Sequence, residues 1–305
     1  DLARKAKQME KQVERLKESQ TALTAGSPWT LTLRGDALRA DRLLEMENLG
    51  VPPAPGLPPL FNIETARLKS GDRVAIVGRN GCGKTTLLSI IAGYKSFSSG
   101  TVKVFGQEYT RDNILDIRKR IGWVSSSFFD KTYQQEAVFD IVISALTGAM
   151  GRDFHVSNKD IAKARLLLER LGLKTKIDAS FATLSKGERQ NVLIARAFMT
   201  NPEIMILDEP ATGLDVLARE VLLATIKELA EDQNTTMIYV THYPEEILPS
   251  FDKCLLLRNG ATYKIGPTKD LFNSEQMSDF LSYPVQITPA DGRYAFAIQS
   301  AGLEF

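Results

Sequence analysis

The chain has 305 residues, with 38 Lys and Arg against 37 Asp and Glu and a formal net charge of +1. Hydrophobic residues make up 43% and charged residues 25%, an ordinary soluble composition long enough for one large domain or two modest ones. The balanced charge argues against direct DNA binding and against an acidic tail, and runs such as Cys254–Leu257 are too short to cross a bilayer. The two cysteines, Cys82 and Cys254, lie far apart and lack metal-ligand spacing, so neither a disulfide framework nor a zinc site is expected and a reducing cytoplasm is the expected setting. The sequence opens on Asp1 rather than Met, so it reads as trimmed, with an earlier targeting segment left open.

Residues 1–24 read as a charged helix in which Leu2, Met9, Leu16 and Leu23 recur at heptad spacing, a short coiled-coil-like stripe. Its plain reading is a solvated amphipathic helix; its functional reading is a linker or arm that meets a partner. Gly26-Ser27-Pro28 ends it. Leu31–Leu33 and Leu43–Met46 are candidate strands, and the proline-rich stretch from Val51 to Pro59 reads as a loop that cannot enter a sheet interior. After the turn at Gly71-Asp72, Arg73–Val77 is a continuous apolar strand of the kind buried in parallel sheets.

The middle of the chain carries helical periodicity at Gln134–Leu146 and Lys159–Leu171. For the second, Ser157 and Asp160 form a capping-box pattern and Gly172 supplies a stop. Two further apolar strands follow: Ile204–Leu207, ending in Asp208-Glu209, and Met237–Val240, ending in Thr241-His242. Strands alternating with helices and ending in polar residues predict an α/β fold with a mostly parallel sheet and a site along its carboxyl edge. Asn259-Gly260 predicts a hairpin between Cys254–Arg258 and Ala261–Ile265, and Asp291-Gly292 a second between Val285–Thr288 and Arg293–Ile298. The C-terminal end is read as a structural β addition.

Gly78-Arg79-Asn80-Gly81-Cys82-Gly83-Lys84-Thr85-Thr86 fits G-x-x-x-x-G-K-[ST], with a strand before it and a predicted helix, Thr85–Ala92, after it. In such a loop the backbone N–H groups of Gly78 to Thr86, including those of Asn80, Gly81, Cys82 and Gly83, form an anion nest. Lys84 reaches the β- and γ-phosphates, the Thr85 hydroxyl serves Mg²⁺, and Thr86 donates to an α-phosphate oxygen. A redox-sensing role for Cys82 is conceivable at a helix N-terminus, but a small tolerated side chain is the favoured reading. Asp208, at the end of an apolar strand, is placed to hold Mg²⁺ through its water shell. Glu209 is placed to align the attacking water and accept its proton.

Leu184-Ser185-Lys186-Gly187-Glu188 resembles the ABC signature motif, usually L-S-G-G-Q. Asp208-Glu209-Pro210-Ala211-Thr212-Gly213-Leu214-Asp215 looks like a Walker B motif with its D-loop, and Thr241-His242 looks like the H-switch. Together with the Gly78–Thr86 loop they stand, across residues 71–267, in the order of an ABC-type ATPase cassette. The resemblance implies a P-loop NTPase fold with an antiparallel β subdomain and an α-helical subdomain. It divides the chain into a helical linker (1–25), a cassette (26–283, helical subdomain about 126–199) and a β tail (284–305). It implies ATP and Mg²⁺ as cofactors, with Lys84, Glu209 and His242 catalytic and Thr85 and Asp208 at the metal. Ser185 and Gly187 would bind the γ-phosphate of ATP held by a second cassette, in a head-to-tail dimer.

Three departures from the family pattern stand out. Ser125-Ser126-Ser127 follows Ile121–Val124 where a Q-loop glutamine is usual, and Gln134 and Gln135 lie too far on to replace it; this puts coupling to a membrane subunit in doubt. Lys186 and Glu188 stand where Gly and Gln are common. No tyrosine occurs in residues 48–60 for adenine stacking, Phe61 being the nearest aromatic.

From about Leu87 onward the chain resembles bacterial stand-alone ABC ATPases described as transporter ATP-binding proteins, some near the molybdate type. Residues 1–86 instead resemble the linker and the opening of the second cassette of ABC-F proteins. The two resemblances meet in the Gly78–Thr86 loop, so the chain reads as a composite, natural or engineered. Three functions follow from these resemblances: an ATPase energising a membrane transport subunit, an ABC-F-like factor acting on the ribosome, and a nucleotide-binding scaffold with little turnover. The first would sit in the cytoplasm, peripheral to the inner membrane through its partner. Intact Lys84, Asp208, Glu209 and His242 argue against the scaffold.

Overall fold

The structure, a computed structural model, describes residues 42–51, 61–125, 129, 133–147, 156–231, 235–290 and 292–298. The expected helix at 1–24, the strand at Leu31–Leu33 and residues 52–59 of the proline-rich stretch lie outside the described residues.

Twelve strands are described. They are β1 (Leu44–Val51), β2 (Phe61–Leu68), β3 (Arg73–Gly78), β4 (Ser99–Val104), β5 (Gln107–Glu108), β6 (Ile121–Ser125), β7 (Ile204–Asp208), β8 (Thr236–Thr241), β9 (Lys253–Arg258), β10 (Ala261–Pro267), β11 (Val285–Ala290) and β12 (Arg293–Ile298). The first ten form one sheet in the order β5-β4-β1-β2-β10-β9-β3-β8-β7-β6, and β11 and β12 form a separate hairpin. Its core, β9-β3-β8-β7-β6, is parallel throughout. Val74–Val77, Ile204–Leu207 and Met237–Val240 are buried along their whole length, as a sheet covered on both faces requires. The β1-β2, β1-β4 and β4-β5 pairs are antiparallel. This arm joins the core through β10, which is antiparallel to β9 and meets β2 at a single parallel partnership, Ala261↔Asn62.

The described helices are α1 (Lys84–Ile91), α2 (Ile114–Lys119), α3 (Val138–Ile143), α4 (Asn158–Arg170), α5 (Lys186–Phe198), α6 (Val216–Glu231), α7 (Thr268–Leu271) and α8 (Ser274–Leu281). The capping box read from Ser157 and Asp160 is present at α4, with the Ser157 hydroxyl accepting from the Asp160 N–H and the Asp160 carboxylate accepting from the Ser157 N–H. Both C-terminal hairpins form with the expected partners.

Two expectations are corrected. Val51 belongs to β1 rather than to the proline-rich loop, because it pairs with Phe61. The helix expected from Gln134 starts only at Val138. The preceding residues are drawn into long-range backbone pairing: the Gln134 and Glu136 carbonyls accept from Ala182 and Phe181, and Ala137 bridges to Ser180. A helix-like periodicity cannot report such partners, which lie far along the chain. The segment ends in a short 3₁₀ turn, Ser144–Thr147.

Candidate nucleotide site

Adjacent strands β3, β8, β7 and β6 all point their carboxyl ends the same way. Parallel pairing therefore brings together the loop after Val77, Thr241-His242, Asp208-Glu209 and Ser125. Residues far apart in sequence become neighbours through register alone: Val77 is opposite Thr241, Asp208 opposite Val240, and Ser125 opposite Asp208.

The loop itself needs its glycines for two different reasons. Gly81 and Gly83 take φ of 79° and 95°, a left-handed conformation that side chains resist. Gly78 is required by space: a Cβ there would lie 2.5 Å from Cys82 Sγ and 2.6 Å from the Leu257 carbonyl oxygen. Asn80 is exposed at the loop tip, and Thr85 and Thr86 open α1 immediately after Lys84. Cys82 is buried and burial raises its thiol pKa, so the side chain is held as a neutral thiol, in line with the plain reading of this position.

Lys84 is buried, and its Nζ donates to the carbonyls of Gly78 (2.7 Å) and Arg79 (3.1 Å), arching back over the loop. The same Nζ lies 3.5 Å from Glu209 Oε1. That oxygen is also 3.5 Å from His242 Nδ1, which is buried without a hydrogen-bond partner. Glu209 is held by its backbone: it adopts φ 50°, unusual for a non-glycine residue, while its N–H donates to the Val240 carbonyl across to β8 (2.9 Å). A side chain aimed by a strained strand end in this way can place a carboxylate beside a lysine and a histidine at once.

Asp208 is buried, and its two oxygens have different environments. Oδ2 accepts from the Ser125 hydroxyl at 2.8 Å, whereas Oδ1 is buried with no hydrogen-bond partner. Burial pushes its pKa up to about 6; the Ser125 and Thr85 hydroxyls oppose this, and the Glu209 charge adds to it. An orphaned carboxylate oxygen beside a threonine hydroxyl is a donor set that fits a hard divalent cation such as Mg²⁺. Among the described residues no cluster of three or more His, Cys, Asp and Glu could hold a metal, so the protein offers sparse ligands rather than a closed cage.

The turn that carries His242 is pinned by a buried group that sequence reading missed. Glu246 Oε2 accepts from the Thr241 hydroxyl (2.7 Å) and the Tyr239 hydroxyl (3.1 Å), and the Tyr243 N–H donates to Thr241 Oγ1 (2.9 Å). Burial raises the pKa of Glu246. Its position five residues after a strand-end threonine was visible in the sequence, but its burial was not.

Ser185 and Gly187 sit at the start of α5 rather than at a strand end. Ser185 caps α5 in a reciprocal box: its N–H donates to Glu188 Oε2 (2.8 Å), and the Glu188 N–H donates to Ser185 Oγ (3.3 Å). Glu188, a departure from the usual signature, thus has a local role, and these hydrogen bonds lower its pKa. Lys186, another departure, lies over the D-loop: a Cβ on Gly213 would come within 2.1 Å of its Nζ, and one on Gly187 would touch Leu214 at 3.6 Å. Signature and D-loop therefore pack together, and the hydrogen bonds of the Ser185 N–H and hydroxyl run to Glu188. Phe61 begins β2, Ser126 and Ser127 lie outside the described residues, and the Gln134 carbonyl is engaged by Ser180 and Ala182.

Residues 62–212 match the ABC transporter family. An uncharacterised ABC transporter ATP-binding protein of Bacillus subtilis is 39% identical over 223 residues, covering 72% of this chain and 84% of that protein. The chain belongs to the ABC transporter ATP-binding family. A molybdate import ATP-binding protein of Haemophilus influenzae is 32% identical, covering 74% of this chain and 83% of its own. Among solved structures, a chain from a metal-chelate type ABC transporter in an inward-facing conformation is 28% identical with a TM-score of 0.66, covering 85% of this chain and 98% of that one. The protein is accordingly an ABC-type ATPase that binds ATP, and its P-loop NTPase fold is that of ABC cassettes.

Proposed function

We propose that this cassette binds MgATP on the Gly78–Thr86 loop and hydrolyses it as one half of a head-to-tail dimer that energises a membrane transport subunit. The observation that carries the chemistry is Glu209 Oε1, at 3.5 Å from both Lys84 Nζ and His242 Nδ1. A carboxylate there can accept a proton from water lined up on a γ-phosphate, while Lys84 and His242 stabilise the charge on the phosphoryl oxygens. Thr85, and Asp208 through its free oxygen, would hold Mg²⁺, which when bound neutralises β- and γ-phosphate charge. The loop amides of Gly78, Asn80, Gly81, Cys82 and Gly83, with Thr86, cradle the phosphates.

Ser185 and Gly187 would close over ATP held by a second cassette. The support is the helix N-terminus that Ser185 caps, whose dipole favours an anion. The names of the relatives support a transport partner over a ribosome. No described helix is long and apolar enough to cross a membrane, so attachment at the cytoplasmic face would run through that partner. The division into linker (1–25), cassette (26–283) and β tail (284–305) belongs to the same reading.

Two measurements test it together. Glu209→Gln is expected to lower the turnover number by ~10²–10⁴-fold, the scale of a general base, while ATP binding survives. Wild-type specific activity is expected to rise with protein concentration as dimers form. Wild-type rates in the variant would place the base elsewhere, and a constant specific activity at high dilution would remove the dimer.

A further inference from the structure

We infer that Ser125 is a positioning residue of the ATPase site: its hydroxyl ties down one oxygen of Asp208 so that the other is presented to the nucleotide-bound magnesium. This rests on the assignment of Asp208 to Mg²⁺ proposed above. Ser125 and Asp208 are the last residues of the neighbouring parallel strands β6 and β7 and stand directly in register. In-register residues on adjacent strands project to the same side with Cβ atoms ~5 Å apart. A serine hydroxyl, one bond beyond its Cβ, closes that gap to a carboxylate one bond beyond its own. The result is a buried hydrogen bond of 2.8 Å between a residue with no exposed surface and one that is 4% exposed.

This bond makes the two carboxylate oxygens chemically unequal. Oδ2 is occupied by a neutral donor, and Oδ1 is buried and unpaired. A buried acceptor left unmade is destabilising, so a carboxylate free to rotate would exchange its oxygens or turn away. Donation from Ser125 removes that freedom and fixes which oxygen remains for a metal-bound water. A glutamine at this position would overfill a site with no exposed surface, and an alanine would leave Oδ2 unpaired as well. The first serine of the run 125–127 is thereby engaged inward, toward the carboxylate, and is not available as a contact for a partner subunit.

The test uses the full chain and a fluorescent ATP analogue, with its dissociation constant measured in EDTA and in excess Mg²⁺. The ratio of the two constants reports how strongly the protein couples nucleotide to metal, independently of turnover. Ser125→Ala is expected to lower that ratio by about tenfold, the scale of one hydrogen bond to a charged acceptor, with metal-free affinity within about twofold of wild type. Ser125→Cys, matched in shape but a weak donor, is expected to follow Ser125→Ala; Ser125→Thr, which keeps the hydroxyl, is expected to restore the ratio. Asp208→Asn provides the reference. If Asp208→Asn lowers the ratio while Ser125→Ala and Ser125→Cys leave it at the wild-type value, the inference about Ser125 is overturned and the metal assignment stands. If Asp208→Asn leaves the ratio unchanged, both are overturned. A loss of metal-free affinity equal to the loss in Mg²⁺ would make Ser125 merely structural and would also overturn the inference.

Discussion

Replacing Gly78 by alanine asks how tightly the phosphate loop is built. Gly78 closes β3 opposite Leu257 of β9 and does not need a left-handed backbone, so the substitution tests space alone. The added methyl would meet Cys82 Sγ at 2.5 Å and the Leu257 carbonyl at 2.6 Å, both well inside van der Waals contact. The sulfur belongs to a short side chain and can give way. The carbonyl belongs to the strand pair and cannot move without loosening the β3–β9 ladder. Overpacking of this kind destabilises by ~1–3 kcal/mol, which for a chain of this size lowers the melting temperature by roughly 2–5 °C. Because the Gly78 carbonyl is also an acceptor for Lys84 Nζ, ATP affinity is expected to fall about tenfold. Repeating the change in a Cys82→Ala background separates the two clashes. Removing the sulfur leaves the carbonyl contact, which is the one that cannot give way, so Gly78→Ala is expected to keep most of its cost there, readable from a double-mutant cycle by thermal melting. Equal melting temperatures for wild type and Gly78→Ala, or a cost that disappears in the Cys82→Ala background, would refute the account in which the Leu257 carbonyl is the obstacle.

Because the pKa of Asp208 in the folded chain is pushed up to about 6, above its unfolded value, the native state binds the proton more tightly. Stability without metal therefore falls as pH rises from about 4 through about 6, by on the order of 3 kcal/mol. Melting in EDTA should show Asp208→Asn more stable than wild type by roughly 3–6 °C at pH 8, with the advantage gone by pH 4; an advantage independent of pH would contradict a charge effect. Ser185→Arg is expected to abolish hydrolysis by crowding the opposing phosphate while leaving ATP binding by Lys84 intact. Mixing it with Glu209→Gln tests whether the two residues serve one site from different copies: the mixed dimer then assembles one intact site, so a partial rescue of activity is expected, and no activity in the mixture would contradict the shared site.

Some of this architecture could be read directly from the residues. Arg73–Val77, Ile204–Leu207 and Met237–Val240 announce themselves as buried parallel strands because an apolar run ending in polar residues has few other uses. The cap at Ser157 and the turn at Asn259-Gly260 are local chemistry, complete within four residues. The sequence also named Lys84, Asp208, Glu209 and His242 as candidates, since each sits in a motif whose spacing is set by one strand and one turn. It misjudged the stretch from Gln134 to Ala137, where periodicity suggested a helix but the backbone groups found partners near Phe181 instead.

What the sequence by itself determined was which residues form the glycine-rich loop after β3 and which carboxylates follow the strands. What the tertiary structure decided was which of them touch. Strand order β3-β8-β7-β6 is a nonlocal choice, and it alone puts Glu209 between Lys84 and His242, buries Glu246 under the turn of Thr241, and turns Ser125 toward Asp208. The serine run that looked like a missing glutamine became, at its first residue, the partner of the Walker B aspartate. The reason is register: hydrogen bonding between parallel strands fixes side-chain neighbours across 83 residues of chain, a distance over which no sequence pattern carries information.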